Sequence, residues 1–280
     1  MLGSMLLGVM SEQMDYEVLG TVRAEKMKRF FHSSMSNNLI VNADVNNHDN
    51  LVNMLHQIRP DVIVNCIGLT KHKAGAEDPL SAIPINTLLP HRLAKICSSL
   101  GSRLVHISTD CVFSGEKGSY TESDFSDARD VYGKSKALGE INSPNAITLR
   151  TSIIGHELNS AYGLLEWFLS QDVKCRGFRC AIFSGLPTIV LAKIIRDVVI
   201  PAKKLSGIYH VAASPINKYD LLKLIASEYG KAISISPDDS FVVDRSLSAA
   251  KFNADTGYLA PEWPELIRLM HTFKQKLDYS

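Results

Sequence analysis

The stretch His106-Ile-Ser-Thr-Asp-Cys-Val-Phe-Ser-Gly115, followed by Tyr132-Gly-Lys-Ser-Lys136, is the most informative part of this sequence. It completes an apolar, β-branched run that begins at Ser102 and is typical of a buried strand. Thr109 places a hydroxyl directly after that run. Ligands of open α/β sheets bind beyond the carboxyl ends of the strands, so we expect Thr109 at a ligand site.

Tyr132 and Lys136 are four residues apart, so a helix would turn both side chains to one face. A phenol has an ordinary pKa of about 10. A neighbouring ammonium favours the phenolate, and we therefore expect Lys136 to lower the pKa of Tyr132. With Thr109 across from the phenol, two hydroxyls can hold a carbonyl oxygen while hydride moves at the adjacent carbon. These three residues are the predicted catalytic group. The Tyr-x-x-x-Lys spacing alone would also fit a surface helix.

Strands and helices alternate over the first half of the chain. Strands are predicted at 16–23, 39–45, 62–66, 104–107 and 146–149, and helices at 2–9, 49–58, 85–100 and 132–141. This rhythm predicts an α/β protein with a Rossmann-type, doubly wound parallel sheet. Past residue 150 the pattern loosens, with helices at 163–170, 189–199, 218–229 and 263–276 and short strands at 208–211 and 233–235. We therefore predict a dinucleotide-binding domain at 1–150 and a smaller α/β substrate-binding lobe at 151–280.

The motifs resemble the extended short-chain dehydrogenase/reductases, and among them most closely the dTDP-4-dehydrorhamnose reductases. The resemblance extends to flanking segments at 59–65, 149–152, 207–210 and 244–263. It implies NADPH-dependent reduction of the keto group of a nucleotide-linked 4-keto-6-deoxy sugar, for cell-surface polysaccharide synthesis. A sugar-nucleotide epimerase and a non-catalytic regulatory subunit, like the β subunit of methionine adenosyltransferase, stay open as alternatives. A dehydratase is disfavoured because Cys111, and not glutamate, follows Asp110.

The resemblance also aligns Leu2 and Gly3 with the end of the family's glycine-rich, phosphate-binding turn. The first strand and the first two glycines of that unit would precede Met1. We expect the true chain to begin further upstream, so that the sequence is a fragment or has a misassigned start. The alternative is a protein that lacks this strand and binds cofactor poorly or not at all.

Arg23 ends a predicted strand, where an arginine can take the 2′-phosphate of NADPH, although NADH stays open. The alternative for Arg23 is a solvated side chain. By resemblance the other cofactor-binding residues are Asp44 and Val45 near adenine; Cys66, Ile67, Gly68 and Thr70 after a strand; Asn86; Ser152 near the nicotinamide; and Tyr132 and Lys136. Asp44 would equally fit a turn before a helix.

On the substrate side, the resemblance implies that Thr109 and Tyr132 bind the ketone oxygen, with Asp110 beside the sugar. Arg245 could face the diphosphate, because a guanidinium suits phosphate, or form a surface salt bridge. Two positions depart from the family: Cys111 replaces an aromatic residue and Ile153 a tryptophan. Both would lie near the sugar, so the reaction type is retained while the identity of the sugar is left open.

Bulk properties exclude several classes of protein. The formal net charge is +1 with no block of like charge, which indicates no nucleic-acid or membrane surface. The five cysteines contain no Cys-x-x-Cys pair, and no histidines stand at metal spacing. We expect reduced thiols, no metal and a cytoplasmic location. The apolar start at 1–10 is too short for a membrane span and is predicted to be an internal helix. The oligomeric state is open, with a homodimer among the options.

Overall fold

The computed structural model describes residues 1–13, 15–41, 43–71, 75–158 and 160–278. The helices are α1 Leu2–Ser11, α2 Ser33–Ser36, α3 His48–Ile58, α4 Pro79–Ala82, α5 Leu89–Leu100, α6 Val131–Leu138, α7 Leu164–Leu169, α8 Thr188–Ile194, α9 Lys218–Glu228, α10 Ala250–Thr256 and α11 Trp263–Asp278. The strands are β1 Gly20–Val22, β2 Leu39–Val41, β3 Val62–Asn65, β4 Arg103–Ile107, β5 Ala146–Arg150, β6 Ile153–Ile154, β7 Lys174–Phe178, β8 Ala181–Phe183, β9 Leu186–Pro187, β10 Gly207–His210, β11 Ile216–Asn217, β12 Ser234–Asp238 and β13 Val243–Asp244.

The central sheet is parallel and has the strand order β10-β5-β4-β3. Its carboxyl edge is formed by the ends of β3, β4 and β5, because Asn65 lies opposite His106 and Ile107 lies opposite Leu149. This confirms the predicted Rossmann-type α/β class. It also places Thr109 beyond the edge at which such sheets bind ligands.

β1 and β2 form a separate parallel pair, with Gly20 opposite Leu39. Both strands are shorter than predicted. Among the described residues, β3 is paired on one side alone, with β4. The expectation of a further strand upstream of Met1 concerns a segment outside this chain, and it stays a prediction.

The predicted helix near the start is confirmed as α1. Its Leu2, Met5, Leu6 and Val9 are buried in the main core, together with apolar residues of α8, α9 and α11. Burying a side chain of this size contributes roughly 1.5–3 kcal/mol. No helix in the described part of the chain is both long and apolar enough to cross a membrane.

The helix predicted at 85–100 begins earlier and has three parts: α4, a wider π-helical stretch at Ile83–Leu88, and α5. Pro84 and Pro90 lie in this segment and each lacks an amide hydrogen, which interrupts regular helical bonding. The π-helical turn leaves Asn86 with no exposed surface. Such turns occur often at functional sites.

The second half contributes to both parts of the molecule. β10 pairs with β5 in the central sheet. The remaining strands form the sheet β11-β8-β13 and the pairs β12–β7 and β6–β9. The central sheet of the first half is thus completed by a strand from the second half of the chain. The division at residue 150 stays a prediction. All five cysteines carry free thiols.

Candidate active site

Thr109 lies directly beyond β4 and is nearly buried. Its hydroxyl oxygen accepts a hydrogen bond from the amide of Cys111 at 3.2 Å and donates to Asp110 Oδ1 at 3.1 Å. The amide of Asp110 donates to the oxygen of Thr151, just past β5, at 3.1 Å. These bonds fix a hydroxyl and a carboxylate at the carboxyl edge of two neighbouring strands.

The helix α6 brings Tyr132 to this edge. Its N-cap residue Asp130 accepts a hydrogen bond from the amide of Gly133 at 2.7 Å, which satisfies one free donor of the first turn. A Cβ atom on Gly133 would overlap the backbone oxygen of Cys111. Glycine therefore lets α6 lie directly against the turn after β4, with Tyr132 beside Thr109.

The predicted lowering of the pKa of Tyr132 by Lys136 is wrong. Burial raises the pKa of the phenol, and the neighbouring Cys111 and Asp110 add to the rise, while hydrogen bonding with Thr109 opposes it. Desolvation disfavours the phenolate more than the surrounding groups favour it. Tyr132 is therefore a neutral phenol near neutral pH, which suits a proton donor.

Lys136 is 4% exposed, and its Nζ donates to the backbone oxygen of Ile107 at 2.7 Å. Burial lowers the pKa of this ammonium to about 8, against the opposing effects of Glu140 and Cys66. The thiol of Cys66 has a pKa raised by burial to about 12 and is neutral. Lys136 therefore changes charge close to physiological pH.

Two lysines that the sequence did not single out face the same space. Lys71 Nζ lies 2.5 Å from Asp130 Oδ2 and 5.7 Å from the centroid of the Tyr132 ring. Lys218, the first residue of α9, is half-buried and interacts electrostatically with Asp110. Burial lowers the pKa of Lys218. No spacing in the sequence links these lysines to the motif.

The three-stranded sheet places Arg245 near Lys218. Asn217 at the end of β11 and Asp244 at the end of β13 both lie opposite Ile182 of β8. Arg245 Nε donates to the oxygen of Phe113 at 2.8 Å. This guanidinium is half-buried and acts on Asp110 as a neighbouring positive charge, which lowers the pKa of that carboxyl against the larger effect of burial.

Several predicted cofactor residues lie at the edge of the sheets. A Cβ atom on Gly3 would lie 3.6 Å from Cys66 Cβ, so the start of α1 closely approaches the end of β3. Arg23 follows β1 and is exposed. Asp44 and Val45, after β2, line a cavity of about 230 Å³ together with residues of α3. Asp44 Oδ1 also accepts from the amide of Asn46 at 3.0 Å, so the predicted turn is present.

The remaining predicted cofactor residues differ in their surroundings. Asn86 is buried, and its side-chain amide bonds both the amide and the oxygen of Leu69, at 2.8 and 3.0 Å, and the hydroxyl of Ser135 at 3.1 Å. Asn86 thus holds the loop after β3, where Ile67 and Gly68 are half-buried and Thr70 is exposed.

Two predicted residues follow β5. Ser152 hydrogen-bonds Asp110 and lowers its pKa, against the larger raising effect of burial. Ile153 begins β6 and packs against the main core. Among the described residues, no group of three or more His, Cys, Asp or Glu could hold a metal ion. The expectation that the site needs no metal stays a prediction.

A parallel α/β sheet with threonine, tyrosine and lysine gathered at its carboxyl edge defines a Rossmann-type α/β protein. The chain belongs to the family described as the RmlD substrate binding domain, whose model matches residues 1–251. That match includes every predicted site residue.

Individual relatives agree with the family assignment. The chain is 30% identical over 196 residues to the dTDP-4-dehydrorhamnose reductase of Aggregatibacter actinomycetemcomitans, covering 66% of this chain and 67% of that protein. It is 32% identical over 109 residues to methionine adenosyltransferase 2 subunit beta of Rattus norvegicus, covering 38% and 33% respectively. The crystal structure of dTDP-4-dehydrorhamnose reductase from Bacillus anthracis in complex with NADP shares the fold, with a TM-score of 0.74, 20% identity and coverage of 89% and 94%.

Proposed function

We propose that this protein is an NADPH-dependent oxidoreductase that reduces the keto group of a nucleotide-linked 4-keto-6-deoxy sugar. The name of its relative from Aggregatibacter actinomycetemcomitans, dTDP-4-dehydrorhamnose reductase, describes a reaction of this kind. The observation that carries the proposal is the pairing of Thr109 and Tyr132 beside the buried Lys136 at the carboxyl edge of the sheet. Family membership supports it. We place the reaction in the cytoplasm, in dTDP-rhamnose or related cell-surface polysaccharide synthesis.

The proposed cofactor site fits residues of the first half, with residues 1–150 as the dinucleotide-binding part. The start of α1 at Leu2 and Gly3 approaches the end of β3 closely enough to face a pyrophosphate. The exposed Arg23 suits a 2′-phosphate, which favours NADPH over NADH. The cavity beside Asp44 and Val45 would take the adenine. When bound, NADPH would supply hydride to the carbonyl carbon.

The side chains of the site supply the proton and the orientation. Tyr132, a neutral phenol, would donate its proton to the carbonyl oxygen, and the hydroxyl of Thr109 would donate a hydrogen bond to the same oxygen. Lys136 would contribute positive charge to the site below its pKa of about 8. Two donors on one oxygen also fix the face of the carbonyl that is reduced.

The diphosphate of the substrate would lie against Lys218 and Arg245, from residues 151–280. These cations directly follow two strands of one sheet, Lys218 after β11 and Arg245 after β13, and both interact electrostatically with Asp110. Lys218 lies in the first turn of α9, where a positive charge opposes the helix dipole, so its place does not serve helix stability. A guanidinium and an ammonium together suit a dianionic ligand.

The proposal leaves the sugar itself to experiment. Cys111 is half-buried beside Tyr132 and Asp110, and its thiol is neutral because burial raises its pKa to about 12. Ile153 turns an apolar side chain toward the core. Neither residue offers a charged contact, so these positions would select by shape.

The direct test is NADPH consumption by the purified protein with dTDP-4-keto-6-deoxy sugars, measured by loss of nicotinamide absorbance. The proposal expects turnover with the wild-type chain and a rate roughly 10²–10⁴-fold lower with Tyr132→Phe. Cofactor binding, followed by nicotinamide fluorescence, should be equal in both. NADPH bound without turnover on any keto-sugar nucleotide would contradict the proposed reaction.

A regulatory role is the second candidate, favoured by the likeness to the methionine adenosyltransferase subunit over 109 residues. It predicts association with the catalytic subunit of a methionine adenosyltransferase and no sugar reduction. Size-exclusion chromatography of the mixed proteins decides between the two. The same experiment on the protein alone gives its oligomeric state, for which a homodimer is one option.

A further inference from the structure

Glu140 lies one helical turn after Lys136, and its carboxylate is buried, with 6% of the side chain exposed. Its Oε1 accepts hydrogen bonds from the hydroxyl of Ser108 and from Nε of Arg150, each at 2.8 Å. Its Oε2 accepts from Nη2 of Arg150 at 2.7 Å. The guanidinium thus holds both carboxylate oxygens in one fixed geometry.

The same carboxylate acts on the segment that leads from β4 to Thr109. Lys136 bonds the oxygen of Ile107, the last residue of β4, and Glu140 bonds the side chain of Ser108, the next residue. Thr109 follows immediately. Two side chains from α6 and the segment after it therefore hold the end of β4 and the residue beyond it, which fixes the position of Thr109 relative to Tyr132.

We propose that Glu140 is a positioning residue for the reductase site, keeping Lys136 charged and the end of β4 in place, while Arg150 keeps the carboxylate oriented. The inference rests on the proposed function for its catalytic meaning. Stability does not by itself account for the pair, because a buried ion pair can often be replaced by apolar residues at little cost.

The charge on Glu140 matters because the other groups near Lys136 are neutral. Among the described residues, Lys136 interacts electrostatically with Glu140 after α6, Cys66 after β3 and His106 in β4. The neutral phenol of Tyr132 lies one turn earlier on α6, and the cation of Arg150 in β5 is paired with Glu140. Cys66 is a neutral thiol, and burial lowers the pKa of His106 well below its usual range. Glu140 is then the one negative charge that opposes the desolvation of Lys136.

The test is Glu140→Gln, which keeps the shape and removes the charge. The titration of Lys136 is followed by NMR of lysine-labelled protein without cofactor or substrate, with the signal assigned by Lys136→Arg. We expect the pKa of Lys136 to fall by about one unit or more. The alkaline limb of the pH profile of kcat/KM should shift to lower pH by the same amount.

Two further variants keep the inference falsifiable. Glu140→Gln combined with Arg150→Met leaves no unpaired buried charge and serves if the single variant fails to fold. Because it removes a cation together with the carboxylate, it should lower the pKa of Lys136 by less than the single variant does. Ser108→Ala removes one hydrogen bond and keeps the charge, so Lys136 should titrate as in the wild type. An unchanged pKa in both Glu140 variants, or an equal shift in Ser108→Ala, would overturn the inference.

The NMR readout is independent of turnover. A shifted Lys136 in a protein that reduces no keto sugar would disprove the proposed function and support the electrostatic role of Glu140. Turnover with an unshifted Lys136 would do the reverse.

Discussion

Gly133 and Cys111 meet backbone to backbone: a Cβ atom on the glycine would overlap the backbone oxygen of the cysteine. This contact joins α6 to the turn after β4. The hydroxyls of Tyr132 and Thr109 come together because the two segments approach this closely. The distance between these two proposed catalytic groups therefore depends on a residue with no side chain.

Gly133→Ala should destabilise the protein and misplace Tyr132. The added methyl meets backbone, which cannot move aside as a flexible side chain would, and we expect a loss of about 1–3 kcal/mol in the free energy of unfolding. Urea unfolding measures it. Gly8→Ala, in α1, is the matched control because its nearest neighbour would be Met35 Sδ at 3.9 Å. Alanine there should stabilise by about 0.5–1 kcal/mol. Equal effects of the two substitutions would contradict the close contact.

Tyr132→Phe should remove the proton donor without disturbing the fold. We expect kcat to fall by roughly 10²–10⁴-fold, the usual contribution of a positioned acid. Thermal stability should be retained, because phenylalanine keeps the ring and removes only a hydroxyl that burial has desolvated, as its raised pKa indicates. Stopped-flow or steady-state NADPH oxidation measures the rate. Activity within a few-fold of wild type would show that another group donates the proton.

The pH dependence should follow Lys136. The pKa of its ammonium is lowered from its ordinary value to about 8, so the charged form is present below that pH and is lost as the pH rises through it. We expect kcat/KM to fall above about pH 8, because this parameter reports groups of the free enzyme. Lys136→Arg stays charged, so the fall in kcat/KM of this variant should occur at higher pH than in the wild type, even if its activity is lower. A flat profile between pH 7 and 10 would contradict the assignment.

Lys218→Met should weaken substrate binding with little effect on the chemical step. Loss of one cation from a phosphate site predicts a rise in KM of roughly 10- to 100-fold, since a hydrogen bond to a charged group contributes about 1.5–3 kcal/mol. Lys223→Met is the control: this exposed lysine lies in the same helix and stacks on Tyr219. Inhibition by dTDP should weaken in parallel with the rise in KM. Identical KM values for both variants would remove Lys218 from the diphosphate site.

Arg23→Asp should reverse the cofactor preference. The guanidinium is exposed beyond β1 and suits a 2′-phosphate, whereas a carboxylate repels it and bonds a free 2′-hydroxyl. We expect Kd for NADPH to rise at least tenfold more than Kd for NADH. Fluorescence titration with both nucleotides measures this. Equal weakening of the two would refute the phosphate contact.

The placement of Thr109, Tyr132 and Lys136 was predictable because two simple rules locate them: ligands bind at the carboxyl edge, and residues four apart share a helical face. Helices with a clear apolar period, such as α1, α3 and α9, were also predicted within a few residues. The short strands β7 and β8 were missed, since three to five residues carry too little pattern.

The electrostatics of the site could not be predicted from spacing. The effect of Lys136 on Tyr132 was overestimated because the depth of burial, which dominates the pKa of the phenol, depends on how α6 packs against β4. Lys71 and Lys218 lie on separate loops and helices far apart in the chain. Only the folded sheet order brings them near Asp110 and Cys111.

The pairing of β10 with β5 has a consequence for synthesis of the protein. On the ribosome, residues 146–150 emerge long before residues 207–210, which supply the outer neighbour of that strand. Until then one edge of the apolar strand β5 is unpaired in the nascent first half, and such an edge promotes aggregation. Co-translational folding of this chain should become complete only after β10 has left the exit tunnel, and the first half should need a chaperone, or fast elongation, until then.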